Sequence, residues 1–95
     1  MRRFYEKALR KELELRGLVA VCQASVAVSY KGEEVGVYVC DLLVDSRVIC
    51  EIKACSALAP EHTAQLLNYL KATGVRVGLL LNFGTKSLQF KRLVF

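Results

Sequence analysis

The stretch Asp41-Leu42-Leu43-Val44-Asp45-Ser46-Arg47-Val48-Ile49-Cys50-Glu51-Ile52-Lys53 decides the fold. Two apolar runs flank the polar Asp45-Ser46 pair, which is the pattern of a β-hairpin. Side chains of a strand alternate between its faces, so Glu51 and Lys53 point the same way, each with apolar neighbours. Taking a carboxylate out of water costs roughly several kcal/mol unless it is paired or holds a metal. Two charges side by side on a strand that otherwise lines a core therefore mark a place for chemistry.

Outward from this hairpin the rest of the chain falls into place. Val35 to Val44 is a strand, Arg47 to Cys55 the next, and Val19 to Tyr30, ending at the Lys31-Gly32 turn, precedes both. Upstream, residues 2–16 carry Tyr5, Leu9 and Leu13 with Phe4 and Ala8 beside them, an amphipathic helix that stops at Gly17. Downstream, Pro60 suits the first position of a second helix that runs to about Thr73 and ends at Gly74. Val75 to Phe83 is a buried strand, Gly84-Thr85-Lys86 a turn and Ser87 to Phe95 a last strand. The expected order is αβββαββ. A right-handed crossover through the second helix lays the strands on either side of it parallel, giving an α/β fold with a mixed sheet.

Ninety-five residues make one domain, 1–95, with a single modest core. Apolar residues are 54% of the chain and mean hydropathy is +0.31, more than one small core holds. The excess gathers in the last strands and in the final Leu93-Val94-Phe95, so a homodimer that covers this edge is expected. No apolar run reaches the ~20 residues of a membrane span, and no signal-peptide core follows Met1, so the expected location is the cytosol. Lys and Arg outnumber Asp and Glu by 14 to 9. Six of the basic residues (Arg2, Arg3, Lys7, Arg10, Lys11, Arg16) fall in the first sixteen positions, which suits either a polyanion or a solvated helix face laced with Glu6, Glu12 and Glu14. Cys22, Cys40, Cys50 and Cys55 show no CxxC pair or zinc spacing and are expected to be reduced, buried small hydrophobes.

Hydrolysis of a phosphodiester is the chemistry that fits. A hard divalent cation, Mg²⁺ or Mn²⁺, takes oxygen ligands, and Asp41, Glu51 and the Ile52 carbonyl offer them. Lys53 would orient the attacking water or offset charge that develops on the phosphate. For Asp41 and Glu51 to share one face, the opposed residue numbers of the hairpin must add to an even value. A plain two-residue Asp45-Ser46 turn gives an odd one, so a three- or five-residue loop or a bulge is required. The same register is expected to set Cys40 near Cys50 on the reverse face. On the second helix His62, Gln65, Leu66 and Tyr69 fall at i, i+3, i+4 and i+7, a stripe that can face Glu51 and Lys53.

These residues carry a resemblance. Asp41-Leu42-Leu43-Val44, Glu51-Ile52-Lys53-Ala54, His62, Ala64-Gln65-Leu66-Leu67-Asn68-Tyr69-Leu70 and Gly78-Leu79-Leu80-Leu81-Asn82-Phe83-Gly84 resemble the GxxExxY family of small bacterial and archaeal proteins, similar in turn to the PD-(D/E)xK nuclease superfamily. The likeness spans Tyr5 to about Arg92. It implies a restriction-endonuclease-like core, Asp41 and Glu51 as metal ligands, Lys53 as the catalytic lysine, and Gln65 and Tyr69 as the QxxxY element of RecB-like nucleases, near DNA. His62 and Arg10 are further candidates for contact with substrate. Where that family has the Glu of its signature this chain has Arg2, and the first helix offers Glu6, or else Glu12, as a further acid. The expected activity is metal-dependent cleavage of nucleic acid, with DNA the expected substrate. The alternative is a module that keeps the nuclease fold and binds nucleic acid without turnover.

Overall fold

The computed structural model describes residues 1–95. Its elements follow the expected order: α1 (Arg2–Leu15), β1 (Ala20–Tyr30), β2 (Glu33–Val44), β3 (Val48–Lys53), α2 (Pro60–Thr73), β4 (Val77–Asn82) and β5 (Gln89–Val94). One five-stranded sheet runs β1-β2-β3-β4-β5, antiparallel except for the parallel β3–β4 pair. Parallel neighbours need a crossover, and α2 supplies it. No helix is long and apolar enough to cross a membrane.

Strand ends differ by a residue or two from the sequence-based bounds. β2 starts at Glu33 because the turn before it is only two residues long: Lys31 and Gly32 both have positive φ, 49° and 82°. Left-handed residues at both central positions match the twist of the flanking strands, and glycine adopts the second at little cost.

The sheet is the middle layer. Leu66 and Leu70 of α2 pack with Ala24, Cys40, Ile49 and Leu80 on one face. On the other, Tyr5, Leu9 and Leu13 of α1 cover Leu42, Val44, Cys50 and Ile52. Cys40 and Cys50 therefore belong to opposite faces, which corrects the expectation that they are neighbours on one. The cause is a slip in alternation at one level of the β1–β2 hairpin. Cys22 pairs with Leu42 and Ala24 with Cys40, but Gln23 and Asp41 between them do not pair, and Gln23 has φ of 50°. Below that level the residues Ala20, Cys22, Leu42 and Val44 face α1; above it Ala24, Val26, Tyr38 and Cys40 face α2. All four cysteines are free, and burial pushes the thiol of Cys40 up to about 11 and that of Cys50 to about 12, so neither is a ready nucleophile.

Candidate active site

The β2–β3 hairpin closes through the three residues Asp45, Ser46 and Arg47, with Leu42 opposite Cys50, Leu43 opposite Ile49 and Val44 opposite Val48. That register has the even parity the site needs; continued by one pair, it sets Asp41 across from Glu51. The loop is held from outside: Asp45 and Ser46 take positive φ, and Asp45 Oδ1 accepts a hydrogen bond from the Val19 N–H at 2.9 Å.

Asp41 lies at the slip, where β2 leaves β3. Its carboxylate turns into the fork and Oδ2 accepts the Ile52 N–H at 2.8 Å, taking the place of a ladder bond. In an extended strand the N–H and C=O of one residue point to the same edge, so the Ile52 carbonyl faces this fork too. From α1, Glu6 reaches the same place. It is buried, with 2% of its surface exposed, and Asp41 is buried at 7%. The Gln23 side chain joins the two acids: Nε2 donates to Glu6 Oε1 at 3.0 Å and Oε2 at 3.1 Å and lies 3.5 Å from Asp41 Oδ1.

Burial raises the Glu51 carboxyl from 4.5 to about 7, although the Lys53 ammonium, the Asp41 N–H and Arg2 all oppose the rise; Glu6 adds to it. Arg2 and Lys53 are thus the cations in electrostatic reach of Glu51. Beyond Lys53 the chain is clamped. The Phe83 N–H donates to the Lys53 carbonyl at 2.9 Å. Asn82, fully buried, accepts from the Cys55 and Gly84 N–H groups at 3.0 Å each and donates to the Cys55 carbonyl at 2.9 Å and to Gln89 Oε1 at 3.2 Å. Gly84 presses on the backbone of Ala54 and Cys55 so closely that a Cβ there has no room. Phe83 stacks on Tyr5 with ring centroids 4.7 Å apart, fixing the start of α1 against the end of β4.

The structure gathers Asp41, Glu51, Lys53, Ile52 and Glu6 around the fork. The other sequence candidates lie elsewhere. Tyr69 stacks on Tyr38 at 3.8 Å between centroids, and Gln65 is exposed and makes no hydrogen bond. His62 caps its own helix, Nδ1 accepting the Ala59 N–H at 3.0 Å. Arg10 is paired with Glu14 at 2.7 Å, and Glu12 with Arg16 at 2.9 Å, which leaves Glu6 as the acid that α1 brings to the fork. Sequence reasoning missed Gln23 and Asn82. Asn82 had a signal, a polar residue inside an apolar strand; Gln23, on an alternating strand with a polar face, had none.

The donor set suits a hard divalent cation: three carboxylates and a backbone carbonyl, all oxygen. Glu6 in particular is a buried carboxylate with no cation in contact, a condition that is costly unless an ion or further donors compensate it. As the side chains stand, no three of them converge on one point. The Ile52 N–H and the Gln23 amide hold the oxygens that an ion would take.

A sequence profile of the PD-(D/E)XK nuclease superfamily matches residues 1–93, so the chain belongs to that superfamily. Among solved structures it is similar to the crystal structure of SSO0001, with a TM-score of 0.66, 18% identity, and coverage of 96% of this chain and 48% of that one. The likeness is one of fold, and this chain spans about half the length of that protein. No curated protein matches it.

Proposed function

We propose that this domain hydrolyses phosphodiester bonds of nucleic acid, with DNA the substrate and Mg²⁺ or Mn²⁺ the cofactor, and that it belongs to the GxxExxY group of the superfamily. The observation that supports the reading is the parity of the β2–β3 register: extended by one pair beyond Leu42 and Cys50 it brings Asp41 beside Glu51, with Lys53 two residues on, the order that the name of the superfamily spells. Asp41, Glu51 and the Ile52 carbonyl would hold the ion, which, when bound, supplies a Lewis acid beside the scissile phosphate. Asp41 is preset for this by the Ile52 N–H, which fixes one oxygen and leaves the other directed toward Glu6 and Gln23. Lys53, its backbone anchored by Phe83, presents an ammonium that orients the attacking water and offsets charge growing on the phosphate. Glu6 contributes a further carboxylate from α1. Gln65, Tyr69, His62 and Arg10 stand apart from the fork, and substrate that extends beyond it along α2 and α1 would meet them there. Exposed Phe90 and Val94 on the open edge strand β5, with Phe95 just past its end, support pairing with a second copy, which would set two sites in a fixed relation.

Degradation of single-stranded, duplex and branched DNA, followed with Mg²⁺, Mn²⁺ or EDTA, tests the reading. Wild type should cut in metal and not in EDTA, and Lys53→Ala should lose about 10²-fold or more of the rate, the scale of removing one transition-state donor. Equal degradation by wild type and Lys53→Ala would show that the activity belongs to another site or another protein.

A further inference from the structure

We propose that the Gln23 amide is a stand-in for the cation: it holds Glu6 and Asp41 together while the site is metal-free and swings out when a divalent ion loads. The inference rests on the metal-dependent reading of this site and adds to it a residue that sequence motifs do not single out.

Three features of Gln23 support the role. The first is position. Nε2 lies 3.0, 3.1 and 3.5 Å from three carboxylate oxygens on two different residues, so a donor nitrogen sits where those oxygens converge. The second is need. The Glu6 carboxylate is buried at 2% exposure, and its two hydrogen bonds from nitrogen both come from this one amide, with the weakly donating Cys22 thiol its other partner; no Lys or Arg forms an ion pair with it, since the salt bridges of α1 all lie at Arg10, Lys11 and Arg16. An amide carries only a partial charge, so the two acids are held together but not neutralised. The third is mobility. Gln23 itself is exposed, in contrast to the carboxylates beneath it, and its residue is left out of the β1–β2 ladder with φ of 50°. A side chain held at its tip, on a residue outside the ladder register and outside both core clusters, leaves without disturbing either.

A stand-in and a positioning residue predict opposite signs. If Gln23 only preset Glu6 and Asp41 for the ion, its loss would weaken metal binding. If it competes with the ion for the same oxygens, its loss strengthens binding while destabilising the metal-free protein. The experiment is Mn²⁺ titration of the whole chain by calorimetry, without nucleic acid, together with thermal melting in EDTA. It compares wild type, Gln23→Ala and Gln23→Asn, the last keeping an amide and a residue that tolerates positive φ. Gln23→Ala should melt lower than wild type in EDTA yet bind Mn²⁺ about three- to tenfold more tightly, the scale of one typical net hydrogen bond. Gln23→Asn, its amide one methylene short, should fall between them. In a Glu6→Gln background, where the charge to be bridged is gone, Gln23→Ala should no longer tighten binding. Wild-type binding with no tightening in Gln23→Ala overturns the stand-in and leaves the proposed function intact. Absence of Mn²⁺ binding in wild type and variants alike overturns both.

Discussion

Replacing Glu51 by Gln should stabilise the metal-free protein, and only above a definite pH. Glu51 titrates at about 7 in the fold against an ordinary 4.5, chiefly because burial disfavours the charged form. A raised carboxyl means that, between those two values, the native state holds a proton that the unfolded chain has released. Stability therefore falls as pH rises from 4.5 to about 7, and the loss is constant above that. At about 1.4 kcal/mol per unit the full difference is about 3 kcal/mol, an upper bound because Glu51 keeps some contact with water. Glutamine, neutral throughout, escapes the loss. Urea unfolding in EDTA should show Glu51→Gln and wild type alike near pH 4.5, diverging through neutrality, with the variant more stable by up to about 3 kcal/mol at pH 8. A saturating divalent ion should reverse the order at pH 8, since it binds the ionised carboxylate of the wild type. Stability curves that stay parallel from pH 4.5 to 8 would refute the argument, because they would mean that Glu51 is as well solvated in the fold as in the unfolded chain.

Two further outcomes follow from the same geometry. Wild type melted with Mg²⁺ or Mn²⁺ at about a hundred times its dissociation constant should gain about 2.7 kcal/mol over the EDTA sample, and Asp41→Asn should lose most of that gain. Gly84→Ala drives a methyl into the Ala54 and Cys55 backbone and should cost about 1–3 kcal/mol in urea unfolding, with a drop in cleavage rate larger than that of a surface control, because the displaced segment begins at Lys53.

Much of this molecule was legible because its signals are local and repeated. The Lys31-Gly32 and Gly74 positions, Pro60 and the β-branched runs mark the element order without any knowledge of contacts, and Glu51 and Lys53 stand out because charge is unexpected on an apolar strand. Parity added a second layer: demanding one face for Asp41 and Glu51 excluded a two-residue turn, and the three-residue loop follows. What resisted reading depends on three dimensions. The exchange of faces at Gln23 and Asp41 alters no residue type, so simple alternation carried Cys40 to the wrong side. The stripe of His62, Gln65 and Tyr69 is a fact of helix spacing, but the face α2 buries is set by Leu66 and Leu70, which leaves Gln65 outside and turns Tyr69 onto Tyr38.

Apart from the register shift of the β1–β2 ladder at Val28 and Ser29, several departures from the rules of a simple sheet gather at one place. Gln23 is left-handed and the Gln23–Asp41 pair is missing; the ladder of β2 and β3 ends at the next residue pair; a glutamate is buried on α1; and Glu51 holds its proton up to about 7. A left-handed non-glycine residue, a buried glutamate and a buried Glu51 each cost stability. Away from this point the two clusters are built of hydrophobic residues, the buried polar exceptions being Asn82, which is fully hydrogen-bonded, and the hydroxyl of Tyr38, which has no partner. At the level of the slip Glu6 and Arg2 of α1, on one side of the sheet, come within electrostatic reach of Glu51, which shares the face of Ile49 on the other. Strain and buried carboxylates gathered at one point fit the proposed site better than they fit a core that failed to pack.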